Sequence, residues 1–587
     1  MEATTIARPD VQQVARRWLT AFDKALRAQD AAAAAALFLP DGHWRDVLAF
    51  TWRLQTMSGG DTIKRVLRQT LAETRPRALH FREGRTPPRR VRRADRDVIE
   101  AIFEFETAYG MANGVVRLST EGEPAGTVRA WTLLTSLETL RGFDDEAMWD
   151  RRNGERYSRD FGGANWLDQR NKAVAYEDRD PAVLVVGGGQ AGLAIAARLG
   201  HLGVDTLIVD RNARIGDNWR NRYHSLTLHN EVHVNHLPYM PFPPTWPVFI
   251  PKDKLANWFE SYVESLELNF WTGTQLASGI YQEDERRWQV TLRRSDGSER
   301  VLRPRHLVFA TGVSSIPQRP SLPGLDAFAG DVLHSGDYTA GGAWKGRKAL
   351  VLGTGNSGHD VAQDLQAGGV DVTLVQRSPT YIVSLKEAQK VYAIYSEGLP
   401  FEDCDLLATS MPYEVLKRAY QLSTAEMREA DRALLDGLEA RGFRLDFGED
   451  GTGFQMMYLR RGGGYYFNVG CSDLVVDGKV GLLPYDRISR FVAEGALLDD
   501  GSVVPADLIV LATGYKNQQE VVRAYLGDSV ADRIGPVWGF DVQGELRNMW
   551  TPTAQDGLWF TAGSLAQCRI YSRYLALQIK AREEGLV

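Results

Sequence analysis

The chain has 587 residues, enough for about three to five domains at ~100–200 residues each, with 44% hydrophobic residues, 25% charged residues and a formal net charge of −6. That balance excludes a disordered chain and a surface built for polyanions, so no nucleic-acid partner is expected. Cys404, Cys471 and Cys568 are far apart and form no C-x-x-C, which argues against a disulfide framework, a structural metal site and a dithiol reductase centre. No apolar run reaches roughly eighteen residues, and MEATTIARPD lacks the basic and apolar regions of a secretory signal. A soluble, cytoplasmic chain without membrane insertion is expected.

Residues 11–39 carry Val14, Trp18, Leu19, Phe22 and Leu26 at helical spacing, and Asp30 then introduces an Ala-rich second helix closed by Leu37 to Pro40. DGHWRDVLAFTWRLQTMSG reads as short strand and turn, and Gly60 to Ala72 as a further helix. The Arg-rich stretch 75–93, bracketed by prolines, reads as a solvated loop. Three strand-like runs follow, Val98–Thr107, Gly114–Thr120 and Thr127–Leu137. Helices followed by a sheet predict an independent α+β unit over residues 1–142. Residues 143–180 are polar and read as a connector pinned by Trp149 and Trp166.

The most informative stretch is PAVLVVGGGQAGLAIAARLGHLGVDTLIVD, residues 181–210. A branched apolar strand runs into Gly187, Gly189 and Gly192, then a helix, then a second strand ending in Asp210. The first glycine allows the turn, the second lets the backbone approach a pyrophosphate, and the third lets helix and strand pack closely. The pyrophosphate sits on the helix N-terminus, and the acid binds a ribose 2′-hydroxyl. IGDNW (215–219) continues the loop along the ligand, with Trp219 as a wall. The prolines and aromatics of residues 222–255 predict an irregular, rigid surface of the kind that lines a ligand cavity. WQVTLRRSDGSERVL (288–302) predicts a hairpin turning at Asp296-Gly297, and LVFATG brings an apolar strand to Gly312.

A second copy of the motif begins at Lys348, with Gly353, Gly355, Ser357 and Gly358 before its helix, and its second strand ends in Arg377. A guanidinium fork suits a 2′-phosphate that a carboxylate would repel, so the two copies predict two different nucleotides. Residues 411–442 read as helical and 463–482 as strands and turns, with Tyr465 and Tyr466 assigned to core packing. LIVLATGY repeats the earlier pattern at Gly514, GLWFTAGSL runs a strand into Gly563, and Tyr571 to Glu584 closes the chain as a helix.

At GGGQAG, GDNW, FATG, GTGNSG and LATGY, and at FAGDVLHSGDY, where Phe328, Gly330, His334 and Tyr338 fit F-x-G-x-x-x-H-x-x-x-Y, residues 180–587 resemble the class B flavin-containing monooxygenases. Thr339 departs from the Lys or Arg of many members, and Tyr338 stands where typical Baeyer–Villiger enzymes carry Trp. At FDKALRAQD, LFLPDGHWRD and GGDTIKRVL, the N-terminal unit is similar to the nuclear-transport-factor-2/SnoaL-like fold, an extension that resembles the type II branch. Asp46 or His43 is then a catalytic candidate there, against a structural or docking role. The implied fold class is α/β, two Rossmann-like dinucleotide-binding domains with one inserted in the other, after the α+β domain. The boundaries are 181–340 and 511–587 for the FAD-binding domain and 341–510 for the inserted NADP-binding domain.

The resemblance implies FAD and NADPH as cofactors, with NADH left open, and O2 as co-substrate. NADPH reduces FAD, a C4a-(hydro)peroxyflavin forms, and one oxygen passes to a ketone or to a sulfur or nitrogen centre of a small organic substrate. His229, with Asn230 as the alternative, matches the residue this branch places near the flavin. Gly187, Gly189, Gly192, Asp210, Trp219, Gly312, Gly514 and Gly563 are expected at FAD, and Gly353, Gly355, Ser357 and Arg377 at NADPH. No metal is implied, and a homodimer is compatible with the extra domain. A disulfide reductase shares the paired fold but needs the missing C-x-x-C. An idle flavin module has no need of two intact glycine turns.

Overall fold

A computed structural model describes residues 10–119, 127–143 and 161–587; Trp149 lies outside the described residues. The first helix, Val11–Arg27, is capped by the Asp10 carboxylate, which accepts from the Gln12 N–H, and it buries Val14, Trp18, Leu19, Phe22 and Leu26 along one stripe. Asp30 caps the second, Ala31–Ala35, through the N–H groups of Ala32 and Ala33. These helices and Gly60–Thr74 back a seven-stranded sheet in the order Leu54–Ser58, Phe38–Val47, Arg129–Leu137, Met111–Ser119, Arg96–Glu106 and Arg77–His80, with Arg89–Arg93 also paired to Arg96–Glu106. Trp18, Phe22, Trp44, Phe50 and Phe103 fill the space between helices and sheet.

The Arg-rich stretch is not a solvated loop. Arg89–Arg93 is a strand, and its cations reach across to the second half of the molecule. Arg85 pairs with Asp403 at 2.5 Å, and the N–H and hydroxyl of Thr86 donate to the same carboxylate at 2.8 and 2.6 Å. Arg89 and Arg93 meet Glu397 at 2.6 and 2.7 Å. A further pair, Arg45 with Glu545, is bidentate at 2.8 and 2.6 Å, and both side chains are under 10% exposed. Arginine is read as a surface residue by composition, but a fork matched to a carboxylate survives desolvation when both ends are satisfied. The N-terminal unit is thereby docked, not tethered.

Two parallel sheets carry the rest. The first orders its strands Asn269–Trp271, Thr206–Val209, Val183–Val186, His306–Phe309 and Leu558–Phe560. The second orders them Asp331–His334, Leu508–Leu511, Lys348–Leu352, Asp371–Gln376 and Gly481–Pro484. The central strands Thr206–Val209, Val183–Val186, His306–Phe309 and Leu508–Leu511 are buried on both faces, which is why they read as largely apolar runs. The edge strand Asp331–His334 pairs with Leu508–Leu511 in the second sheet, so that unit begins before residue 341. The chain enters it from the first sheet and returns to finish at Leu558–Phe560, an insertion of one sheet within the other.

Local differences have plain causes. Phe401–Thr409 is a helix absent from the sequence reading, and Cys471–Val476 a short helix within a region read as strands and turns. The connector helix Trp166–Ala175 leaves Trp166 exposed; Tyr176 is the pin, fully buried with its hydroxyl donating to Asp205 at 2.6 Å. The closing helix starts at Leu565, with Ser564 and Gln567 forming a capping box.

Candidate functional site

The two glycine turns are near-copies. Gly187 and Gly353 have φ of +109° and +119°, in the left-handed region where a side chain is strained, and a β-carbon on either would lie 2.6 or 2.3 Å from the carbonyl oxygen of Ala310 or Ala512. A β-carbon at Gly192 would lie 2.0 Å from the Gly187 carbonyl oxygen, and one at Gly358 2.0 Å from that of Gly353. Gly189 and Gly355 precede their helices with φ/ψ of −79°/−171° and −81°/−172°, and no side chain caps either helix. The helices Gln190–His201 and Asn356–Ala367 thus present free N–H groups to whatever approaches them.

Both turns open into one cavity of about 2230 Å³. All of the nucleotide-site candidates line it: Gly187, Gly189, Asp210, Trp219, Gly312, Gly353, Gly355, Ser357, Arg377, Gly514 and Gly563, with Gly192 behind the first turn as the packing glycine. Asp210 is held at the end of its strand by N–H donations from Gly188 at 2.7 Å and Asn212 at 2.8 Å, which leaves acceptor capacity toward the cavity. Trp219 donates from its indole to Gln190 at 3.2 Å. Arg377 is exposed to the cavity and forms no ion pair among the described residues. Its strand end is fixed instead by Arg444, which donates to the carbonyls of Gln376 and Arg377 at 2.9 Å each.

The polar atoms of this wall are incompletely satisfied. Asn218 Oδ1, Thr311 Oγ1 and Gln518 Oε1 are buried without a hydrogen-bond partner among the described residues, and all three residues line the cavity beside the first turn. Orphaned buried atoms are costly, and in native proteins they mark a missing ligand or water. Asn218 and Thr311 belong to the GDNW and FATG motifs but are not singled out in the sequence reading, and Gln518 follows LATGY by three residues.

His229 and Asn230 lie together on the strand Thr227–Glu231, in the same cavity wall. His229 is exposed to the open cavity, and desolvation by the walls around it holds its imidazole down to about 4. Its ring packs against Phe467 at 4.7 Å. His334 instead ties together the ends of two neighbouring strands of the second sheet: the Gly336 N–H donates to Nδ1 at 3.0 Å, so Nε2 carries the proton and donates to the Gly514 carbonyl at 3.1 Å. Tyr465 does reach the cavity wall, whereas Tyr466 is buried and stacks on His359 at 4.0 Å.

His43 and Asp46 are not part of this site. Asp46 is fully buried and accepts from the N–H groups of Phe50 and Thr51 and the hydroxyls of Thr51 and Thr135, at 2.6 to 3.2 Å. Those donors make it the organiser of the turn after its strand. His43 bonds Ser58 at 2.7 Å. What the N-terminal unit gives the cavity is wall, at Arg45, Leu54 and Arg93.

A family model described as FMO-like, flavin-binding monooxygenase-like, matches residues 180–533. The chain is 29% identical over 352 residues to the indole-3-pyruvate monooxygenase YUCCA1 of Oryza sativa subsp. japonica, covering 60% of this chain and 80% of that one. It is similar in fold to cyclohexanone monooxygenase bound to epsilon-caprolactone (TM-score 0.51, 20% identity, 69% of this chain and 88% of the other). It is similar too to OTEMO in complex with FAD and NADP (TM-score 0.50, 16% identity, 70% and 87%). The family match leaves residues 1–179 outside it.

Proposed function

Because the chain belongs to the flavin-binding monooxygenase-like family, we propose that it uses NADPH and O2 to place one oxygen on a ketone, or on a sulfur or nitrogen centre, of a small organic substrate. One observation carries this reading: two glycine turns of matching backbone geometry, unlike in their terminal side chains Asp210 and Arg377, share a single cavity. FAD fits the first turn, where three buried polar atoms have no partner among the described residues, and NADPH fits the second, where a guanidinium without an ion pair among the described residues suits a phosphate. FAD, reduced by NADPH, supplies the activation of O2, the chemistry for which side chains alone are unsuited.

The protein's own residues do the rest. The helix N-termini hold the pyrophosphates, and Asp210 and Arg377 select the ribose ends. His229 or Asn230 offers a polar group beside the reacting region. Water is excluded by a chamber walled by Leu54, Tyr392, Tyr420, Trp538, Trp550 and Tyr571, the last two stacked at 4.2 Å. An apolar, aromatic wall of this kind fits an uncharged substrate. The N-terminal unit is read as nuclear-transport-factor-2/SnoaL-like on its helix-backed sheet, and as a wall-bearing domain without a catalytic centre of its own.

The test is isotope transfer. With FAD, NADPH and 18O2, a panel of ketones and thioethers yields a product bearing one labelled oxygen; consumption of NADPH with only H2O2 formed, across the panel, opposes the reading. The depressed His229 adds a sign. Its neutral form prevails above about 4, so no limb in the rate profile between about pH 5 and 8 belongs to this ring, unlike a solvated histidine at ~6.5.

A further inference from the structure

Resting on that reading, we propose that Gln389–Glu397 is a strap by which the N-terminal domain fixes His229 and Asn230, with Gln389 as the positioning residue. Gln389–Ser396 is an eight-residue 3₁₀-helix, well beyond the usual three or four residues for this conformation. At 3.0 residues per turn, Gln389, Tyr392 and Tyr395 fall in one row. Gln389 bonds the strand Thr227–Glu231 itself, Tyr392 lies beside its Asn230, and Tyr395 bonds a helix next to it.

Gln389 acts as a one-residue strand neighbour. Among the described residues, the strand Thr227–Glu231 is paired on one edge only, with Phe249–Pro251. On its other side the Gln389 amide accepts from the Glu231 N–H at 3.3 Å and donates to the His229 carbonyl at 2.9 Å, as a peptide group of an adjoining strand would. Those two bonds flank Asn230, whose side chain lies beside Tyr392. The third member of the row, Tyr395, donates to Asp405 at 2.7 Å. Asp405 is held by Arg569, which also donates to the carbonyls of Val234 and His236 at 2.8 Å, just past the same strand.

The far end is anchored in the N-terminal domain. Glu397 meets Arg89 and Arg93, and both cations also bind Glu100, which is buried and further paired with Arg117 at 2.8 Å. Every charge in that ladder has a partner; Glu100 and Arg117 are buried at its inner end and Glu397 is partly exposed at its outer end. Between the two ends, Lys390, Val391, Ala393 and Ile394 line the cavity. The sheet of the N-terminal domain is therefore joined, through one short helix, to the backbone of His229.

The experiment compares Gln389→Ala and Glu397→Gln with wild type as full-length, FAD-loaded protein. Hydrogen exchange of the peptide spanning residues 227–231 rises in both variants, by at least about tenfold for Gln389→Ala, the change expected when such a bond is lost. The share of NADPH diverted to H2O2 rises several-fold alongside it, while flavin content and NADPH affinity stay within about twofold, since neither residue touches a nucleotide turn. Wild-type exchange in both variants overturns the strap, whatever their activity. If Gln389→Ala does not fold, Glu397→Gln, at a partly exposed position, decides alone. A wild-type protein that binds flavin yet transfers no oxygen would overturn the proposed function without touching the exchange result.

Discussion

Gly192→Ala is expected to lose FAD, with flavin content per chain falling at least about tenfold, a change of ~1.4 kcal/mol or more in binding. The added methyl would sit 2.0 Å from the Gly187 carbonyl oxygen, a backbone atom that no rotamer change can move aside. Either the helix Gln190–His201 shifts off its strand, carrying its N–H groups away from the pyrophosphate, or the turn at Gly187 opens. Overpacking of this kind costs ~1–3 kcal/mol even where side chains can yield. Gly358→Ala places the same methyl 2.0 Å from the Gly353 oxygen in the second unit, and so imposes the same insult on folding. It is expected to keep its flavin and weaken NADPH by a comparable factor. The ratio of flavin to protein absorbance reads the first effect and a nucleotide titration the second. Equal loss of flavin in both variants would show that the clash acts on overall stability and not on separate cradles.

Arg377→Ala is expected to raise the KM for NADPH about 30-fold while leaving NADH within about twofold, as removal of a forked, charge-assisted phosphate contact worth ~2 kcal/mol implies. The guanidinium is free of ion pairs among the described residues and faces the cavity, so no internal partner is abandoned by its removal. Arg377→Lys should recover part of the loss, because a point charge remains without the fork. Steady-state kinetics with both nucleotides separate the outcomes. An equal loss with NADPH and NADH would assign Arg377 to the shape of the strand end, a task Arg444 already performs.

The turns and parallel strands are legible from the residues because their geometry admits few alternatives. A φ near +110° at Gly187 and Gly353, and a backbone atom 2.0 Å from a would-be β-carbon at Gly192 and Gly358, leave glycine as the only residue. Likewise, strands buried on both faces must be apolar throughout. What is not legible depends on distant partners. Arg89 and Arg93 read as solvated until Glu397, some three hundred positions away, is seen opposite them. Asp46 reads as a catalytic candidate from its type, yet four donors from a turn and a neighbouring strand consume its oxygens. Gln389 carries no motif at all; its role comes from an amide that happens to complete an unpaired strand edge.

The role of the N-terminal domain follows from the same contacts. Its interior is filled with aromatic side chains, and its buried acids serve turns and arginine ladders, so its consequence for chemistry passes through what it touches. Those contacts are Arg45 with Glu545, Arg85 with Asp403, and the Glu397 end of the 3₁₀-helix.

At the centre of the account is a flavin held within reach of its own electron donor by two cradles that differ at one terminal side chain. Anaerobic mixing of the FAD-loaded protein with NADPH tests this directly. Bleaching of one flavin per chain, faster with NADPH than with NADH and slowed toward the NADH rate by Arg377→Ala, is the predicted result. A flavin that stays bound and oxidised in the presence of saturating NADPH would contradict it.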